Sequence, residues 1–120
     1  MIDVIIIGAG GHAAEIDEYI IYNKKHSVGE DLNIVGFLDD NPENYRRYQF
    51  SAPLIGSASD HEVIRNHYYI LGIAGIKYRR IFVERYLAGG AKFVSVIHHG
   101  AYVSNSARVG VLSPIEISAS

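Results

Sequence analysis

The residues whose types and spacing could do chemistry begin with the run Gly8-Ala9-Gly10-Gly11-His12. It follows the β-branched segment Val4–Ile7 directly and leads directly into a helical pattern. A strand that enters a glycine turn which opens a helix aims bare backbone N–H groups at one point, a place suited to phosphate or pyrophosphate. Gly8, Gly10 and Ala13 fit the spacing G-x-G-x-x-G/A. The first glycine permits the tight turn, the second lets a phosphate approach the backbone, and the small third residue lets the helix pack closely. The plainer alternative is a turn that only joins a strand to a helix. His12 lies inside the same turn; as a neutral imidazole it donates one hydrogen bond to a phosphate, and a phosphate beside it favours the cation. The plainer alternative is a solvent-facing residue in the first turn; catalysis is the less expected role, since no second acid or base is placed with it.

Asp39 and Asp40 end the apolar segment Ile34–Leu38. A dinucleotide site wants an acid there, about 20 residues past the glycines, on a ribose hydroxyl. These two come later, after a longer loop, and could accept from a uracil or a ribose. Their alternative role is a turn aspartate capping Asn41 and Pro42. The stretch Gly72-Ile73-Ala74-Gly75 is a second strand-to-turn switch, and Lys77 and Arg79 behind it could reach anionic groups. Arg80 and Arg85 fit solvated helix charges better. His98 and His99 are adjacent, so in an extended segment they point to opposite sides and make a poor metal pair. No metal site is expected. The tyrosine pairs Tyr45/Tyr48 and Tyr68/Tyr69 read as packing rather than a stacking platform, since no extended basic patch accompanies them.

These residues need elements to position them. Helix α-type spacing places Ala13, Ile16 and Ile20 on one face and Glu15, Asp17 and Glu18 on a polar side, with Lys24 and Lys25 where cations suit the helix dipole. Glu43–Ser51 reads as an irregular loop and Pro53–Gly56 as a short edge-like strand. Ser59-Asp60-His61-Glu62 reads as a capping box opening a short helix to about Asn66. Tyr68–Ala74 is a strong strand. Ile76–Leu87 is a helix carrying Tyr78, Ile81, Phe82 and Tyr86 on one face, stopped by Gly89 and Gly90. Lys92–Val96 is the last strand of this part. Strands alternating with helices predict an α/β fold, a Rossmann-like parallel sheet flanked by helices, with the ligand crevice at the carboxyl ends of the strands. Three candidate segments meet there: Gly8–His12, Asp39–Asn41 and Gly72–Lys77.

The tail follows another rule. Ile97, Val103, Val109 and Ile115 recur every six residues with small residues between them. That period suggests the start of a hexapeptide-repeat β-helix, a pattern that stops early and so looks truncated. The expected organisation is a nucleotide-binding domain over residues 1–96 and the beginning of a β-helix over 97–120.

Composition narrows the class. The chain has 120 residues, 48% of them hydrophobic, and a net charge of −2, so one compact domain with a real core is expected, without the basic excess that nucleic-acid or anionic-membrane binding leaves. With no cysteine, disulfides and thiolate metal sites are excluded. No apolar run approaches the ~18 residues of a membrane span, and no signal peptide is read at the N-terminus. A soluble cytoplasmic protein is the expectation.

Taken in order, the strand with Gly-Ala-Gly-Gly-His, then Gly36-Phe37-Leu38-Asp39-Asp40, Gly56, the Gly72–Gly75 turn with Arg79 after it, Val96-Ile97-His98 and the hexads resemble the bacterial nucleotide-sugar acetyltransferases of the sialic acid O-acetyltransferase and bacillosamine/perosamine N-acetyltransferase type. The resemblance covers essentially the whole chain. It implies a Rossmann-like domain that binds a UDP-sugar, a left-handed β-helix, a homotrimer formed through that helix, acetyl-CoA between neighbouring subunits, and a role in bacterial surface-glycan biosynthesis. By the same resemblance Gly8, Gly10, Gly11 and His12 would hold the phosphates, Asp39 and Asp40 the uridine, and Gly72, Ile73, Ala74 and Gly75 would complete the wall. The chain departs from the family at Gly10, where a serine is usual, and at Ile76, where a polar asparagine is expected. The family's catalytic histidine lies further along the β-helix and matches no residue of this chain, so no catalytic residue is assigned and the chain alone is expected to be inactive. Two other functions fit the glycine turn: an NAD(P)-binding oxidoreductase domain and a non-catalytic nucleotide-sensing module.

Overall fold

A computed structural model describes residues 1–27 and 29–94. The β-helix expected over 97–120, with His98 and His99, lies outside the described residues. The elements run β1 (Ile2–Ile7), α1 (Gly11–Lys25), β2 (Leu32–Leu38), α2 (Pro42–Arg46), β3 (Leu54–Gly56), β4 (Tyr68–Leu71), α3 (Ile76–Ala88) and β5 (Lys92–Phe93). The five strands form one sheet in the order β3-β2-β1-β4-β5, with every neighbouring pair parallel. This is the expected Rossmann-like sheet, and β1 occupies its centre.

The centre explains the composition of β1. Successive side chains of a strand point to opposite faces. Val4 and Ile6 join one core with Ala13, Ile16 and Ile20 of α1, while Ile5 and Ile7 join a second core with Tyr86 of α3. All four β1 residues are fully buried, each worth roughly 1.5–3 kcal/mol of burial. A strand covered on both faces has no polar side to show, hence the unbroken apolar run. The same two cores divide the connections. Tyr45 and Phe50 pack with α1 over β2, and Ala58 and Val63 pack with α3.

Several local expectations are corrected. The segment after Asp40 is not wholly irregular: Asn41 accepts from Glu43 N at 3.1 Å as the N-cap, and Pro42 opens the one-turn helix α2. The helix expected from Ser59 does not form. The Ser59 N–H and hydroxyl both go to the Asp40 carboxylate, Ile64 N donates to Tyr69 Oη at 3.0 Å, and Asn66 adopts φ 64°. With its hydroxyl turned to Asp40, Ser59 is drawn away from the amides it would have capped. Asp17 belongs to the interior rather than the polar side of α1, because it accepts from Ser51 N at 3.0 Å and from Ser51 Oγ. On α3 the inward stripe passes through Arg79, Phe82, Val83 and Tyr86; Tyr78 and Ile81 fall outside it, 60% and 41% exposed. Strand β4 ends at Leu71 and β5 at Phe93, short of the expected Ala74 and Val96.

The β3–β4 connection is held down by three rings. His61 Nε2 lies 2.6 Å from Tyr69 Oη, His61 stacks on Tyr86 at 6.2 Å between centroids, and Tyr86 Oη donates to Ala58 O at 2.7 Å. Tyr69 Oη accepts from Ile64 N–H and also meets His61 Nε2, so one hydroxyl serves two partners in the connection. Burial pushes the His61 imidazole below its usual value; Glu62 opposes this and His67 adds to it. Burial raises the Tyr69 and Tyr86 phenols.

Tyr69→Phe removes both the acceptor of Ile64 N–H and the partner of His61. The expected loss is about 1–3 kcal/mol of unfolding free energy by urea titration, with the slope unchanged. A loss under ~0.5 kcal/mol would show that the ring, not the hydroxyl, holds the connection.

Candidate functional site

The carboxyl ends of β1, β2 and β4 carry the three segments singled out from the sequence, and the structure brings all three together. Gly8 N donates to Leu38 O of β2, and Gly72 N donates to Ile7 O of β1 at 2.7 Å. Asp39 N donates in turn to Gly56 O of β3 at 3.1 Å. The turns are therefore stitched to one another by main chain.

Gly8 has φ +106°, and a Cβ there would stand 2.8 Å from Gly72 O and 3.0 Å from Ile73 Cγ1. A Cβ on Gly72 would stand 2.9 Å from Ile6 Cγ2 and 3.1 Å from Ala13 Cβ. These two glycines serve the close approach of the first and third turns, and Ala13 is small for the same reason. Gly10 differs: a Cβ there meets nothing within 4 Å. It is the N-cap of α1 and offers no side-chain cap. The first-turn amides of Gly11, His12 and Ala13 have no intrahelical acceptor by the geometry of a helix, and among the described residues no side chain supplies one. Half-buried His12 stands in this first turn, beside exposed Gly11.

The amide of Ala9 is already taken. It donates to Asp39 Oδ2 at 2.9 Å. Asp39 also accepts from Asn41 N at 2.8 Å and from Asn44 Nδ2 at 3.2 and 3.3 Å. Its oxygens thus have about as many donors as a carboxylate has acceptor positions. Asp39 builds the crevice by tying the β1 turn to the end of β2, and the turn-capping alternative describes its contacts well. Asp40 is exposed and points the other way. Ser57 Oγ and Ser59 N donate to Oδ1 at 2.6 and 2.8 Å, and Ser59 Oγ donates to Oδ2. Burial opposes ionisation of Asp40, but the donors from Ser57, Ser59 and Ala58 outweigh it and hold the carboxyl below its ordinary value.

Ile73, Ala74 and Gly75 continue from Gly72 to the start of α3, half-buried and then exposed. Arg79 turns back on this wall, with Nη1 donating to Ile73 O at 3.2 Å, while Lys77 is exposed. Arg85 is not simply a solvated charge: Nη1 donates to Ser59 O at 3.3 Å and the guanidinium lies over Phe82. Residues missed from the sequence are Asn44, Ser57 and Ser59, which clamp the two aspartates, and Tyr48, whose hydroxyl overhangs Gly11. Their signal was faint, because each is a common polar or aromatic residue far from its partner in sequence. Among the described residues no group of histidine, aspartate or glutamate could hold a metal, and no helix is long and apolar enough to cross a membrane.

Gly8→Ala is expected to cost about 1–3 kcal/mol in stability through strain at positive φ and the contact with Gly72. Gly10→Ser should change it by less than ~0.5 kcal/mol, since the added atoms enter open space. Equal urea midpoints for the two variants would overturn this division of roles. A carboxyl held below its ordinary value stabilises the fold fully above its unfolded value, 3.8 for Asp40, and the contribution is lost as pH falls through the folded value. The urea midpoint of Asp40→Asn should therefore lie below wild type at pH 7 and converge on it below about pH 4. A gap that stays constant down to pH 3 would contradict it.

No curated protein matches the chain. The family model of the PglD N-terminal domain matches residues 3–86. That span runs from β1 into the last turns of α3 and includes all three turns of the crevice. It agrees with the resemblance carried by the glycine turn and the paired aspartates: this chain belongs to the PglD N-terminal domain family, the N-terminal domain of the bacillosamine acetyltransferases.

Proposed function

We propose that the chain binds a UDP-sugar at the crevice above β1, β2 and β4, as the nucleotide-sugar domain of an acetyl-CoA-dependent sugar O- or N-acetyltransferase in bacterial surface-glycan biosynthesis. The observation that carries this reading is the match of residues 3–86 to the PglD N-terminal domain. The geometry supports it. A diphosphate has a seat on the first-turn amides of α1, with Gly10 open above it and His12 as a side-chain donor. Asp40, exposed at the end of β2, would accept from a uridine N–H or a ribose hydroxyl in exchange for one of its serine donors. Asp39 contributes by holding Ala9 and Asn41 in place. Gly72 to Gly75 form the opposite wall.

Acetyl transfer belongs in this reading to the β-helix of the whole enzyme, working as a homotrimer in the cytoplasm with acetyl-CoA between subunits. The Rossmann-like domain contributes affinity and position for the sugar, and acyl transfer gains from such positioning because it replaces an encounter between two free molecules.

Calorimetric titration separates the readings. UDP and a UDP-sugar should bind and NADH should not. Binding of NADH without UDP would sink the proposal in favour of an oxidoreductase domain. Failure of the longer protein to transfer acetyl groups to any UDP-amino-sugar or UDP-sugar, with UDP still bound, would favour a nucleotide sensor.

A further inference from the structure

We infer that Tyr48 is a ligand contact of this crevice: its hydroxyl donates to a phosphate oxygen of the nucleotide seated on the first turn of α1. This rests on the reading of that turn as a nucleotide-sugar site.

Tyr48 lies on the segment between α2 and β3, which is fixed at several points. Tyr45 Oη donates to Ala52 O at 2.7 Å, Ser51 N and Oγ donate to the buried Asp17, and Phe50 packs on Phe37 with centroids 4.5 Å apart. The Tyr48 ring rests edge-on against Phe50, centroids 6.1 Å apart and planes at 68°. The side chain is therefore supported although the residue is 44% exposed. Its hydroxyl stands 3.2 Å from the place a Cβ on Gly11 would occupy. The hydroxyl therefore stands against the first turn of α1, at the Gly11 position.

Three other tyrosine hydroxyls have protein partners. Tyr45 donates to Ala52, Tyr86 to Ala58, and Tyr69 is engaged by Ile64 and His61. Among the described residues none takes the Tyr48 hydroxyl. A phosphate oxygen that accepts from Gly11 or His12 N–H would have the phenol on its flank. Glycine at position 11 leaves the hydroxyl uncrowded, since a Cβ there would press it at 3.2 Å.

The test compares wild type with Tyr48→Phe by calorimetry against UDP and uridine, with urea midpoints measured for both. UDP affinity should fall about tenfold, as for loss of one hydrogen bond to a charged group. Uridine affinity and the midpoint should stay unchanged. Equal UDP affinity in a wild type and variant that both bind UDP overturns the inference and leaves the nucleotide-sugar reading intact. A parallel loss for uridine overturns the phosphate assignment. Absence of UDP binding by wild type overturns the parent reading and this inference with it.

Discussion

The crevice depends on one close approach of main chain, Gly8 against Gly72. Neither position has room for a methyl group, and Gly8 sits at a φ that side chains rarely adopt. The contact lets β1 and β4 end at the same height and turn away to opposite faces of the sheet. It leaves α1 with its first amides aimed into the gap. A wider gap would lower the density of donors at that point; a side chain would fill it. Everything proposed for ligand binding assumes this spacing.

Carboxylates complete what the glycines begin. Asp39 converts the Ala9 amide from a ligand donor into a structural one and in return locks the β1 turn to the β2 end. Asp40, its neighbour, faces the opposite way and pins the β3–β4 connection through two serines. Two adjacent residues of one type thus hold two different segments. The electrostatics favour this arrangement: each carboxylate is met by several N–H or O–H dipoles, which lowers the cost of holding it at the strand end.

The strands, the glycine turn and the face of α1 are legible in the sequence because each follows a local rule: β-branched runs, a fixed glycine spacing, apolar residues three and four apart. The family, too, is carried by short motifs in order. The parts that were not legible depend on partners far along the chain. Ser59 has the right neighbours for a helix cap, yet Asp40 claims it from nineteen residues away. Asp17 looks like a solvent residue until Ser51 is found against it, and Tyr48 looks like packing until Gly11 is seen beneath its hydroxyl. The one-turn helix α2 is a different kind of miss: Asn41-Pro42-Glu43 has the composition of a helix start, but its shortness left it buried in a polar stretch.

One edge of the sheet has its own consequence. Strand β3 has three residues, a register shift against β2, and a proline immediately before it, while Ile55 folds over Gly36 where any larger residue would collide with it. An incoming strand from another molecule would find a ladder only three residues long, with a proline immediately before it. So short a border offers little template for the indiscriminate pairing by which exposed sheet edges aggregate.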